Sequence, residues 1–378
     1  MDRLRNLNIV SKLKNLHILQ SKAFMVRIII YAILAIVVFG TALYIYNKST
    51  LRSKDCDRLE HEYPDAPPLA PVPQTGDTYG HALRDYYIKS SYNSCNPGDV
   101  KASFVDVCSL KTAIRQGYRF LDFAIYSVGD RAAIASSTSD SYDVKDTYNS
   151  VLFADAMTTV RDYAFSAAAC PNSSDPVVLH FRVMTAHQPI VADMAKTIAS
   201  VLGGRTLGKR YSYENDGKNL GAMPLRDFLG KVIICVDRSN QSFMGSPLEE
   251  YVNMCSNSVF MRALPFSAVK FSHDTQELTN FNKKNMTIVM PDKKAPIVNP
   301  SAALCGQYGC QMVAMAVQKT GPNLTQYNSQ FANAGHAFAL KPAHLRYTPV
   351  TIPVPPPPPA SHSYAPRVSS TDYYNFRI

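Results

Sequence analysis

The 378-residue chain has no C-x-x-C pair, no G-x-G-x-x-G and no phosphate-binding P-loop. The first absence argues against zinc sites of the common structural kind. The other two argue against a nucleotide-binding protein. Charge is also scarce where a nucleic-acid binder would carry it. Residues 1–27 hold six basic side chains against one acid, and residues 48–58 hold four against two. About +7 of the formal +10 therefore flanks one segment, and about +3 is left for everything else. A nucleic-acid binder usually carries its excess on the folded domain, so no nucleic-acid partner is expected.

The flanked segment is Ile28–Tyr46, nineteen residues without a charge or a proline. At about 1.5 Å per residue it spans roughly 28 Å, close to the thickness of a bilayer's hydrocarbon core. Tyr31, Tyr44 and Tyr46 lie towards its ends, where amphipathic rings favour the interface. A signal peptide has a shorter apolar region and a small-residue cleavage site, and Tyr44–Ile45–Tyr46–Asn47 is not one. The segment reads as a transmembrane helix. The basic excess before it favours a cytoplasmic N-terminus and a type II single-pass protein, although basic residues also follow it. The preceding Leu4–Leu19 reads either as an amphipathic helix on the membrane or as a solvated tail.

All eight cysteines follow the anchor, an arrangement that suits a compartment permitting disulfides. Cys95/Cys108 and Cys305/Cys310 are the first pairs to consider. Sequons at Asn172, Asn240, Asn285 and Asn323 would allow glycosylation there. Residues 47–78 read as a polar linker whose Pro64–Pro73 stretch is extended and stiff, holding the following domain off the bilayer. A second proline tract, Pro353–Pro359, opens a tail over 347–378. It reads as a spacer or as a ligand for a protein partner's aromatic groove.

The remaining 268 residues, 79–346, have the size of a single (β/α)8 barrel. Arg119–Ile125, Pro176–Val183, Lys231–Val236, Met286–Met290 and Cys310–Val317 read as short apolar strands. Val151–Phe165, Val191–Val201 and Pro247–Met254 read as helices among them. The alternation points to a mainly parallel sheet. Periodicity alone does not separate a closed barrel from an open doubly wound sheet.

Several stretches, in order, resemble phosphoinositide-specific phospholipase C. Tyr86–Asn93, YYIKSSYN, is similar to the family's segment ending Ser-Ser-His-Asn. Gln116–Ile125, QGYRFLDFAI, is similar to its Gly-x-Arg-x-x-Glu-Leu-Asp. Val160–Phe165 looks like the helix that follows, and Pro176–Arg182 like the strand that ends in a glutamate. Gly230–Asp237 is similar to the strand closing the first half-barrel. Gly309–Gln318 and Phe338–Arg346, FALKPAHLR, are similar to the second half's late strands and close. The combination also resembles a group of such proteins from large DNA viruses, which would place the anchor in a virion membrane. The resemblance covers nearly all of 79–346 and implies an α/β fold, a (β/α)8 TIM barrel.

It also implies a chemistry. Family members cleave a phosphodiester with two histidines, one activating the inositol 2-hydroxyl and one assisting charge and proton transfer. Histidine suits both roles because it titrates near neutral pH. The calcium-dependent members add carboxylates and an asparagine that hold the metal. Carried onto this sequence, the first histidine's place holds Tyr92, with its neighbouring asparagine kept as Asn93. The glutamate ligand's place holds Asp122, and the next ligand's place holds Ala124. The second histidine's place falls at Ala135–Ser137, around Ser136. The late glutamate's place holds Arg182. Both acid–base groups are therefore replaced, and only Asn93 and Asp122 survive as vestigial metal ligands.

His180 precedes Arg182 by two residues, so on a strand both point to one face, His180 one layer deeper. It is the single candidate for a substitute catalyst, and a hydrogen-bonded core histidine is the plainer reading. Arg182 either pairs with Asp122 and plugs the site or meets a lipid phosphate with its planar fork. Lys89 and Arg119 would add charge if they face the mouth. The expected protein is thus a membrane-anchored, catalytically degenerate phospholipase C-like barrel without a cofactor. Its role would be to bind a phosphoinositide head group through Asn93, Asp122 and Arg182, or to serve as a structural component. The alternatives are a phosphoric diester hydrolase working through His180, Asp122 and Arg182, and a scaffold recruiting partners through its tail.

Overall fold

Helix α1 (Asp2–Glu62) contains one glycine and no proline, and Pro64 stops it by restricting the residue before it. The computed structural model describes residues 2–76, 79–212, 219–349 and 366–377. Phe24–Glu62 of α1 is long and apolar enough to cross a membrane, and none of its most apolar window is buried, so it is not a core helix. The helix does not end with the apolar segment. It continues through residues expected to be a polar linker and runs beside α2 (Val107–Arg115). The two are joined by a Cys56–Cys108 disulfide and by an Arg52–Asp106 ion pair. Arg115 Nη2 also donates to the Tyr63 carbonyl at 2.6 Å.

The pairs Cys95/Cys108 and Cys305/Cys310 do not form. Cys95, Cys305 and Cys310 are buried free thiols, whereas Cys108 stands on the first turn of α2 facing α1. The proline-rich stretch after α1 lies on the barrel rather than away from it. Leu69 and Val72 are buried. Ala70 N donates to Gly335 O at 2.8 Å, and Val72 N to Asp175 Oδ1 at 2.7 Å. Gly117 has φ +75°, and a Cβ there would lie 2.6 Å from Leu69 Cδ1, so the glycine lets the strap sit flush.

The barrel begins with β1 (Tyr86–Ser91), α2 and β2 (Phe120–Val128). β3 (Arg131–Ala135) and β4 (Val151–Leu152) form an antiparallel excursion from β2 before α3 (Phe153–Ala164). Then come β5 (Val177–Val183), α4 (Gln188–Thr197), β6 (Val232–Asp237), β7 (Met254–Ser256) and β8 (Met261–Pro265). Helices α5 (Phe266–Lys270) and α6 (Thr275–Lys284) lead to β9 (Met286–Met290), then α7 (Ala302–Gln307) and β10 (Met312–Met315). Helix α8 (Pro322–Ala334) and β11 (Phe338–Leu340), antiparallel to β1, close the domain. Eight parallel strands follow one another in the order β7-β6-β5-β2-β1-β10-β9-β8, a nearly closed α/β barrel. Both strand faces are covered, so the strands read as continuous apolar runs.

Strand parity sorts the core. Ile88, Phe120, Val178, Ile233 and Ile288 fill the barrel, while Leu121, Phe123, Leu179 and Phe181 pack outward against the helices. The expected helix over Pro247–Met254 is instead a short 3-10 turn, Glu249–Tyr251, leading into β7. Asn253 Oδ1 accepts from Ile234 N at 2.9 Å and its own N–H donates to Ile234 O, drawing the chain alongside β6. Of the four sequons, Asn172 and Asn240 are buried and hydrogen-bonded and cannot take a glycan in the folded chain. Residues 347–378 form a separate unit containing an exposed hairpin of β12 (Val368–Ser370) and β13 (Asn375–Arg377). The Pro353–Pro359 tract lies outside the described residues.

Candidate functional site

Three neighbouring strands, β1, β2 and β5, bring the singled-out residues together. In the register of β2 against β5, Asp122 stands beside His180 and Ala124 beside Arg182. Asp122, His180 and Arg182 all point into the barrel, Arg182 one layer nearer the strands' C-terminal ends. Asn93 follows β1 with φ +43°, a left-handed conformation asparagine tolerates, and this turns its backbone N–H towards Asp122.

Asp122 is the hub and is fully buried. Its Oδ1 accepts from His180 Nδ1 at 2.8 Å and from Arg182 Nε at 2.9 Å. Its Oδ2 accepts from Arg182 Nη2 at 2.8 Å and from Asn93 N at 3.0 Å. Arg182 Nη2 donates also to Asn93 Oδ1 at 2.5 Å. Burial opposes ionisation of Asp122, but the Arg182 charge and the His180 hydrogen bond outweigh it and hold the carboxyl well below its usual range. Burial likewise works against the Arg182 charge, and the Asp122 carboxylate more than restores it.

A carboxylate only accepts, so His180 Nδ1 carries a proton and donates to Asp122. Its Nε2 meets Ser256 Oγ at 2.9 Å. The order Asp122–His180–Ser256 resembles a nucleophilic triad, and Ser256 is the residue of this network that the sequence did not single out. Only the placement of Asp122 and His180 on neighbouring strands could have hinted at it. Ser256 and His180 are both fully buried, and neither lines the cavity at the mouth. The arrangement therefore fills space and satisfies polar groups, with no ring nitrogen left to meet a substrate.

The other residues fall into two groups. Tyr92 is buried with its ring 5.2 Å from the Arg182 guanidinium carbon, a cation–π contact. Ser136 is buried, donating to Val100 O at 3.0 Å and accepting from Asn96 Nδ2 at 2.7 Å. Lys89 and Arg119 do not reach the mouth. They occupy the outward parity of β1 and of the turn before β2. Lys89 Nζ donates to Gln116 O at 2.7 Å, and Arg119 donates to Ala164 O and to Asn172 Oδ1. Arg182 alone borders the mouth cavity, of about 350 Å³, together with Asp140, Tyr142, Asp237 and Lys293. Asp140 and Lys293 are ion-paired across it.

Residues 79–238 match the phosphatidylinositol-specific phospholipase C X domain. This stretch belongs to that family. PLC21 of L. pealei has 18% identity and a TM-score of 0.58 over 72% of this chain, and PLC21 of S. officinalis has 17% and 0.57 over 72%. The matches span only 39% and 38% of those two proteins, so the present chain corresponds to less than half of each and shares their barrel fold. A calcium-dependent phosphoinositol-specific phospholipase C from Pseudomonas sp. aligns over 71% of this chain and 99% of its own, with 11% identity and a TM-score of 0.41, too distant to support an argument. No curated protein matches.

Calcium, implied by the calcium-dependent members of the X-domain family, takes six to eight oxygens. Asp122 has four lone-pair positions, and all four are occupied by N–H donors from His180, Arg182 and Asn93. The Asn93 side-chain oxygen accepts from Arg182 as well. The guanidinium lies where a divalent cation would need to be. The residues present do not fit calcium.

Proposed function

We propose that this X-domain barrel is a catalytically silent, membrane-anchored structural component, held as a type II single-pass protein by the apolar part of α1. One observation carries the reading: the four-donor saturation of Asp122 by Arg182, His180 and Asn93. A general acid or base contributes about 10²–10⁴-fold to a rate, and Tyr92 and Ser136 supply neither near neutral pH. The basic excess before the apolar segment and the Cys56–Cys108 disulfide after it support the orientation.

Head-group binding is less well supported. Two of the three Arg182 nitrogens are engaged, and the acids Asp140 and Asp237 border the same cavity. In the scaffold role, partners are met through the proline-rich tail, and deleting residues 348–378 abolishes their recruitment.

The full chain in vesicles containing phosphatidylinositol tests the catalytic part. Release of inositol phosphates stays at the protein-free level with or without calcium; turnover that rises with calcium overturns the reading. Alkaline carbonate extraction tests the anchor. The chain stays with the membrane pellet, and its appearance in the supernatant refutes anchoring.

A further inference from the structure

Helix α1 meets α2 at three heights, Arg52 at Asp106, Cys56 at Cys108 and Tyr63 at Arg115. Where these two helices meet the strap and the end of α3, a cavity of about 670 Å³ remains, against about 350 Å³ at the mouth. Small-molecule sites commonly enclose about 300–1,000 Å³. This one lies on the barrel's flank. Cys56 and Glu60 of α1 and Ala66 of the strap contribute to its wall, and α2, Tyr163 and residues 167–171 complete it. No residue of the Asp122 network lines it.

The lining combines positive charge with apolar surface. Lys111 and Arg115 stand four residues apart on α2, so both reach the cavity from one helix face. Lys111 Nζ lies 5.0 Å from the Tyr163 ring centroid. Arg115 Nη2 donates to the Tyr63 carbonyl, but no acceptor among the described residues meets its Nε or Nη1. Neither cation is ion-paired among the described residues, whereas Arg182 at the mouth is neutralised by Asp122. Glu60, exposed on α1, is the single acid in the lining. Ala66, Ala167, Ala168 and the Cys56–Cys108 disulfide supply apolar wall.

We propose that the flank cavity binds a small amphipathic anion, its acidic group held by Lys111 and Arg115 and its apolar body lying on Tyr163 and the alanines. A guanidinium presents a planar fork to two oxygens, and an ammonium beside it adds a point charge. An aromatic ring and methyl groups favour an acyl or aryl body over a sugar. The site stands apart from the barrel's mouth and needs no bilayer.

Anilinonaphthalene sulfonate, a fluorescent aryl anion, is titrated into the full-length protein in phosphatidylcholine nanodiscs, with empty nanodiscs subtracted. A saturable site is expected. Losing a hydrogen bond to a charged group weakens binding by about tenfold or more, so Lys111→Gln and Arg115→Gln each lower the dye's affinity by about that factor. Arg115→Gln also removes the Tyr63 contact. Ala168→Phe is the variant that spares the fold, because Ala168 is exposed, and the added ring obstructs the cavity and displaces the dye. Lys284→Gln, at the end of α6, leaves binding unchanged. The uncharged parent, phenylnaphthylamine, binds the wild type about tenfold more weakly or worse for want of the charged partner. Full-affinity binding in Ala168→Phe or in Lys111→Gln overturns the inference. So does the absence of a saturable site, or equal affinity for the charged and uncharged dyes.

Discussion

Asp122 carries the site, and its loss is costly in a particular way. Asp122→Leu leaves the Arg182 charge buried without its partner, and breaking a buried pair costs about 3–5 kcal/mol. Asp122→Leu combined with Arg182→Met costs less than Asp122→Leu alone, because the orphaned charge goes too. Urea unfolding of the four proteins in the cycle measures this; additive losses would mean that the pair is not coupled. The pH dependence follows from the depressed carboxyl. The stability Asp122 confers is complete above the ordinary carboxyl value of about 4 and is lost as pH falls below it towards the lower folded value.

Lys89 and Lys341 act in the opposite range. Burial pushes both down to about 7. Between pH 7 and their ordinary value the unfolded chain binds protons that the fold excludes, so stability rises with pH there. Each lysine contributes a slope of up to about 1.4 kcal/mol per pH unit. Above roughly pH 8.5 the buried thiols oppose this, since burial raises Cys95 and Cys235 and the unfolded chain then loses thiol protons the fold keeps. Denaturation between pH 7 and 8.5 therefore shows stability increasing with pH, and Lys89→Met or Lys341→Met flattens the rise. An unchanged slope in both variants refutes the assignment.

Among the elements, the α1–α2 juncture was the least legible in the sequence. The apolar segment declared itself by length and lack of charge. Residues 47–62 looked like a linker because lysine, arginine and acids dominate them. Their helical signal is thin: Leu51, Asp55 and Leu59 recur every four residues, and of the hydrophobic side chains in 47–62 only Leu59 is fully buried. The strands were legible as apolar runs, and strand parity placed His180 and Arg182 on one face as found. The same alternation puts Lys89 and Arg119 on the outward side, away from the mouth. Ser256 was illegible because a three-residue strand gives no period to count. The disulfide closes a 52-residue separation, so Cys56→Ser costs about 2–4 kcal/mol. Thermal unfolding of Cys56→Ser checks the loss, and thiol titration of the denatured, unreduced wild type checks the pairing with six reactive cysteines. Eight would show that the bond is absent.

On the scale of the whole molecule, the barrel does not begin where the family resemblance begins. Leu59, Leu69 and Val72 lie before residue 79 and are buried in the barrel's shell and base. Burying an aliphatic side chain contributes about 1.5–3 kcal/mol, so together they contribute on the order of 5–9 kcal/mol. A domain's entire stability is about 5–15 kcal/mol. A fragment of residues 79–349 also loses the disulfide and the Val72–Asp175 bond, leaving Asp175 buried without that donor. It is expected to unfold at much lower denaturant or to aggregate, while residues 47–349, cut just below the apolar segment, unfold cooperatively. Equal midpoints for the two fragments would show that the strap adds nothing. The same comparison bears on function. A strap that supplies part of the core ties the barrel's fold to the helix that precedes it, so a barrel cut from that helix at residue 79 is not a smaller version of this protein but a destabilised one.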